Sequence, residues 1–138
     1  MSDTFDTAAF FGGTAPAVSF DDIGETHEGT VIRAEVRQQT GFEDGALQYW
    51  PDGRPKLQAV VTFEGEPDDD EDDGVRTLYV RGLMHRAFQD ALRTAKLRDL
   101  SPGSWFKVTY TGDGEPPRRG MNGPKQYEVV IAPPKRNQ

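Results

Sequence analysis

The chain has 138 residues, with 35% apolar and 28% charged positions, 15 glycines, 10 prolines and no cysteine. That length suits one domain with one modest core, and the lack of cysteine excludes disulfide scaffolds, thiolate metal sites and cysteine nucleophiles. The net charge of −7 argues at first against a nucleic-acid partner, but the carboxylates are segregated. Residues 1–28 hold six of them and no Lys or Arg, and Glu64–Asp73 (EGEPDDDEDD) holds eight, again without a cation. The remainder carries nine acidic residues against all 16 basic ones, about +7, so the folded body can present a basic surface.

The opening residues MSDTFDTAAFF lack the basic region of a secretory leader. No apolar run approaches the roughly 18 residues of a membrane span, so a soluble, intracellular protein is expected. Residues 1–25 show no sustained period and read as a flexible N-terminal arm, in which Phe10, Phe11 or Phe20 can dock locally. From Gly29 the pattern changes to period two. Thr30, Ile32, Ala34 and Val36 share one face of a half-buried strand, and Val31, Arg33, Glu35 and Arg37 share the other.

A turn-rich segment follows, with Phe42, Tyr49, Trp50, Arg54 and Lys56. Leu57, Ala59, Val61 and Phe63 then alternate with Gln58, Val60 and Thr62 as a second strand. The run Glu64–Asp73 predicts an exposed, hydrated connection, because eight like charges repel one another. Val75–Arg81 predicts a third strand with Leu78 and Val80 inward and Tyr79 and Arg81 outward. Met84, Phe88, Ala91, Leu92 and Ala95 recur at helical spacing, and Ser101-Pro102-Gly103 breaks the chain. Trp105–Thr111 and Tyr127–Ala132 predict the last two strands, separated by a long loop with Arg118, Arg119 and Lys125. Residues 133–138 form a short basic tail.

The fold class is therefore all-β with one helix, in the order β-β-β-α-β-β. That is the order of a five-stranded OB-fold barrel with a flexible N-terminal arm and long loops, its domain spanning residues 26–132; an α+β sandwich is the competing arrangement. In such a barrel the binding groove crosses strands two and three and is walled by the loops joining strands one to two and four to five. Here the first loop offers Phe42, Tyr49, Trp50, Arg54 and Lys56, and the second offers Arg118, Arg119 and Lys125. Tyr79, Arg81, Arg33 and Arg37 lie on the outward strand faces. Aromatic faces stack on unpaired bases and cations follow phosphates, neither needing a particular base sequence.

Catalysis finds little support. His27 and His85 are far apart and have no cysteine partners for a metal site. The run DDDEDD lacks the glycine and spacing of a calcium loop. No serine sits in a nucleophile elbow, and Gly112-Asp113-Gly114 lacks the Lys-Ser/Thr of a phosphate loop. No cofactor is implied, and the chain reads as a binding protein rather than an enzyme.

The succession QQTGFEDGALQYWPDGRPKLQAVVTF, GVRTLYVRG before a helix, VTYTGDGE and GPKQYEV resembles single-stranded DNA-binding proteins of tailed phages that infect actinobacteria, over about residues 25–132. The resemblance implies an OB-fold and sequence-tolerant binding of single-stranded DNA during phage replication and recombination, in the cytoplasm of a bacterial host. A homo-oligomer and contacts with replication or recombination proteins are expected with it, and outward-facing Val31, Val60 and Val130 are the sequence's candidates for self-contact. The familiar bacterial single-strand binders end in an acidic tail with a hydrophobic tip, whereas this chain ends PPKRNQ, so recruitment through a C-terminal peptide does not carry over. The competing reading is an OB-like protein-interaction or structural module that docks a replication or virion protein through the same aromatic loop.

Overall fold

One strand carries the architecture. In the computed structural model, which describes residues 15–41, 44–116, 119–120 and 123–134, β1 (Thr26–Gln38) is shared by two neighbours in succession. Its first part, Thr26 to Thr30, pairs with β4 (Trp105–Asp113). Its second part, Thr30 to Gln38, pairs with β2 (Leu57–Glu64). β3 (Val75–Val80) adds to β2 and β5 (Lys125–Ala132) to β4, giving one antiparallel sheet in the order β3-β2-β1-β4-β5. The helix α1 (Gly82–Thr94) lies between β3 and β4 in sequence, as its apolar spacing predicts. Among the described residues β3 and β5 are not hydrogen-bonded to each other, so the sheet is not closed.

A bulge lets β1 serve both partners. The register steps from Val31 opposite Phe63 to Arg33 opposite Thr62, leaving Ile32 without a counterpart. An extra residue inverts the alternation, so Val31 points into the core at 2% exposure while Arg33, Glu35 and Arg37 still point out. The strict alternation expected from the sequence therefore misplaced Val31. Val60 is also buried, under its neighbours on the outer face of the sheet, and of the three valines expected outside only Val130 is exposed.

The core gathers Val31, Val61, Phe63, Leu78, Phe106 and Val108 from the strands, with Met84 and Phe88 from the buried stripe of α1. Phe106, fully enclosed, packs edge-on against Phe63 at 4.9 Å between ring centroids and tilted against Phe88 at 5.8 Å. The far end of β1 has no such cover. Val36 is 67% exposed and Leu57, opposite Gln38, is 52% exposed, because β4 no longer runs beside them.

Residues 15–25, read from the sequence as the end of an arm, are tied down at Val18 and Phe20, while Asp21 to Gly24 stay exposed. Val18 donates its N–H to the Thr77 carbonyl at 2.9 Å, and Thr77 donates to that of Pro16 at 2.8 Å, a parallel bridge along the outer edge of β3. Phe20 is buried edge-on against His27 and Tyr127, and Lys125 Nζ donates to its carbonyl.

The acidic connection is more structured than charge repulsion alone predicts. Gly65 and Gly74 close it with a backbone hydrogen bond of 2.8 Å. Asp72 accepts from the backbone N–H groups of Asp68 and Gly74 and pairs with Arg76 at 2.5 Å, both side chains less than a fifth exposed. Asp68 reaches the same guanidinium at 3.3 Å. The Arg76 bond, then the two backbone donors, hold the Asp72 carboxyl well below the usual carboxylate range.

A group with a lowered folded pKa stabilises the fold above its unfolded pKa, about 4 for Asp, and loses that contribution as pH falls towards the folded value. Asp72→Asn is expected to lower the melting temperature at neutral pH. The gap to the parent should narrow progressively below about pH 4, as thermal melts across that range would show. At Gly29 a Cβ would lie 2.3 Å from the Glu64 carbonyl oxygen. Gly29→Ala must therefore move backbone, and denaturant titration should show a loss of about 1–3 kcal/mol.

Candidate nucleic-acid interface

The loop joining β1 to β2 is folded on itself. Gln39 donates to the Lys56 carbonyl at 2.7 Å, Gln48 to that of Gln39 at 2.9 Å, and Lys56 to that of Gln48 at 3.0 Å. A short central segment around Gln48 is thereby inserted between the two stems. Isolated bridges Thr40–Leu47 and Tyr49–Pro55 flank it. Two lobes result. One is closed by Gly41 donating to Ala46, the other by Trp50 and Arg54 around Pro51-Asp52-Gly53, with Gly53 at φ +91°. A left-handed backbone of that kind costs a side-chain-bearing residue about 1–2 kcal/mol, which is why the sequence places glycine there.

This folding presents rings rather than hiding them. Tyr49 is 54% and Trp50 49% exposed. The Lys56 ammonium stands 4.8 Å from the centre of the Trp50 ring, a contact that orients the indole and keeps a cation beside it. Arg54 is exposed and pairs with Asp52 at 2.7 Å. Phe42 lies outside the described residues.

Register decides which strand residues join this loop. Residues opposite one another in a sheet share a face. Arg33 is opposite Thr62, Glu35 opposite Val60, and Arg37 opposite Gln58. Across β2, Val60 is opposite Tyr79, and Ala59 opposite Val80, which puts Arg81 level with Gln58. Arg33, Arg37, Tyr79 and Arg81 therefore occupy one outer face that runs from β1 across β2 to the end of β3 and abuts the stem of the aromatic loop. Val60 and Thr62 form its floor.

Two features of this face go beyond the sequence reading, which placed Glu35 beside Arg33 and Arg37 without weighing its charge. Glu35 stands between the two β1 arginines, 3.1 Å from Arg37 and 3.6 Å from Arg33, and so offsets part of their charge. Its spacing, a carboxylate between cations at i−2 and i+2 on one strand face, was the available signal. Secondly, Tyr79 and Arg81 line a cleft of about 420 Å³ with Leu83, Pro124, Lys125 and Tyr127, which brings the start of β5 to the end of β3. Lys125 is committed there: its ammonium is bonded to the Phe20 carbonyl and lies 5.1 Å from the Tyr110 ring. Tyr110 donates its hydroxyl to Asp113, a bond that pushes the phenol up to about 12. Lys125 thus fastens the N-terminal segment, a role unlike the phosphate contact expected of it. Arg119 is exposed in a turn, with no ion pair to a described residue, and Arg118 lies outside the described residues.

No group of three or more His, Asp or Glu side chains among the described residues is placed to hold a metal ion, and no helix there is long and apolar enough to cross a membrane. No protein-family model matches the chain, and no curated protein or solved structure is significantly similar to it.

Removing the internal counter-charge tests the electrostatics of this face. Glu35→Gln should tighten binding of oligo-dT, more in dilute buffer than at physiological salt, because screening reduces exposed charge effects beyond about 8 Å. Fluorescence anisotropy at two ionic strengths reads the difference.

Proposed function

We propose that this protein binds single-stranded DNA without strong sequence preference, protecting it during phage replication and recombination in a bacterial host. The observation that carries the reading is the continuity of two surfaces. An ordered loop holding Tyr49 and Trp50 about half exposed adjoins a strand face bearing Arg33, Arg37, Tyr79 and Arg81. Rings of this kind reach only unstacked bases, and each stacked base contributes roughly 1–3 kcal/mol. Guanidinium groups on the same face suit the phosphates between those bases.

The fold reading belongs to the same proposal. The order β3-β2-β1-β4-β5 with a helix between β3 and β4 is that of an OB-fold barrel with its seam between β3 and β5. The cleft and the N-terminal segment occupy that seam. The aromatic loop and the start of β5 then fall where loops of that fold wall a strand-binding groove.

Titration of labelled oligo-dT against duplex of equal length, at two salt concentrations, tests the reading. Preference for the single strand, with affinity falling steeply as salt rises, is expected. Equal affinity for duplex would contradict it. A complex with a replication protein that ignores salt would favour the docking-module alternative. Trp50→Ala should weaken oligo-dT binding by about 1–3 kcal/mol with the fold intact, and Arg81→Ala should lower the salt slope by about one unit. Unchanged affinity in both variants would move the site elsewhere.

A further inference from the structure

The cleft between the end of β3 and the start of β5 differs from the flat face beside it. Its volume of about 420 Å³ falls in the range of small-ligand pockets. Leu78, Met84 and Phe20 line it and are buried, so its base is apolar. Tyr79 and Leu83 also line it and are exposed, which puts a ring and an aliphatic group at its mouth. Arg81 stands with them. Of the arginines on this face, Arg33 and Arg37 share Glu35, whereas Arg81 makes no ion pair with a described residue.

That combination selects among occupants. A purely apolar ligand would cover Arg81 without giving its guanidinium a counter-charge. A small anion alone would leave the apolar base unfilled. An added peptide strand finds no edge on β3, because residues 16–18 already lie along it. A flat, largely apolar ring that carries an anionic group satisfies both parts of the cleft, and a nucleotide has that chemistry.

We infer that the cleft takes one nucleotide of the bound strand, its base turned inward past Tyr79 and Leu83 and its phosphate on Arg81. The inference rests on the single-strand reading above. A planar guanidinium matches phosphate geometry, and a ring beside the entrance suits any base, since every base has a π-face. Two other polar side chains in the cleft are already engaged within the protein. Ser19 donates its hydroxyl to Asp21 at 3.3 Å, and Lys125 donates to the Phe20 carbonyl. A seated base is therefore held by shape and stacking, which keeps the site tolerant of sequence. Val18 and Phe20 also line the cleft, so the nucleotide touches the N-terminal segment and couples strand binding to the seam.

Leu83→Trp tests this, because an indole on the exposed first turn of α1 fills the cleft and leaves the aromatic loop untouched. Leu83→Trp and Arg81→Ala should each weaken oligo-dT binding about tenfold, and the double variant little more than either, since both displace the same nucleotide. Hydrogen exchange reads the same event without a variant. Oligo-dT should slow exchange of the Val18 amide in the parent chain severalfold, and an abasic sugar-phosphate strand of equal length should not. Parent-like affinity in Leu83→Trp beside a loss in Trp50→Ala would overturn the inference and leave the single-strand reading standing. So would additive costs in the double variant, or Val18 exchange that ignores oligo-dT. A parent chain that binds no oligo-dT would overturn both.

Discussion

The whole arrangement depends on one strand satisfying two partners. β1 bonds to β4 and then to β2, and it can do so only because the bulge at Ile32 turns its backbone over midway. Without that extra residue, Val31 and the arginines after it would share a face, and either a core valine would be in water or three charged side chains would be in the core. The cost of burying an unpaired charge greatly exceeds that of locally interrupting a ladder. The bulge resolves the conflict in favour of both the core and the basic face.

Much of this was legible in the chain. Period two over residues 57–63 and 105–110, helical spacing from Met84 to Ala95, and the punctuation at Ser101-Pro102-Gly103 each correspond to an observed element. Their signals are local, since each depends on which side of a single element faces the core. What escaped the reading depends on distant partners. Val31 is inward because of Phe63, and residues 15–20 are held because β3 offers an edge; Asp72 is the local exception, fixed by Arg76 at i+4 across the start of β3. The outward positions of Arg33, Arg37 and Tyr79 were readable from alternation, but their meeting on one face required the register across β2.

Charge is arranged by segment rather than averaged. The acidic connection spends part of its repulsion on Arg76 and on its own backbone donors. That makes it a closed turn, with Asp69, Asp70 and Glu71 left exposed. The cations of the outer face lie on strands and on a hydrogen-bonded loop, so their spacing is set by backbone geometry and does not rely on long flexible connections. A surface fixed in this way gives up less conformational freedom when it meets a ligand.

The N-terminal segment along β3 has a kinetic consequence. The Phe20 carbonyl is held by a lysine 105 positions further along the chain, and the Val18–Thr77 bridge also joins distant stretches. Contacts so remote in sequence form late, because the entropy of closing the intervening chain must be met first. The seam can seal only after β3 and β5 have both been placed. The last part to assemble is also among the first to open in native-state fluctuations, so amide hydrogens at Val18 and Thr77 should exchange ahead of those deep in β1 and β4, and the cleft beside Tyr79 would widen each time they do.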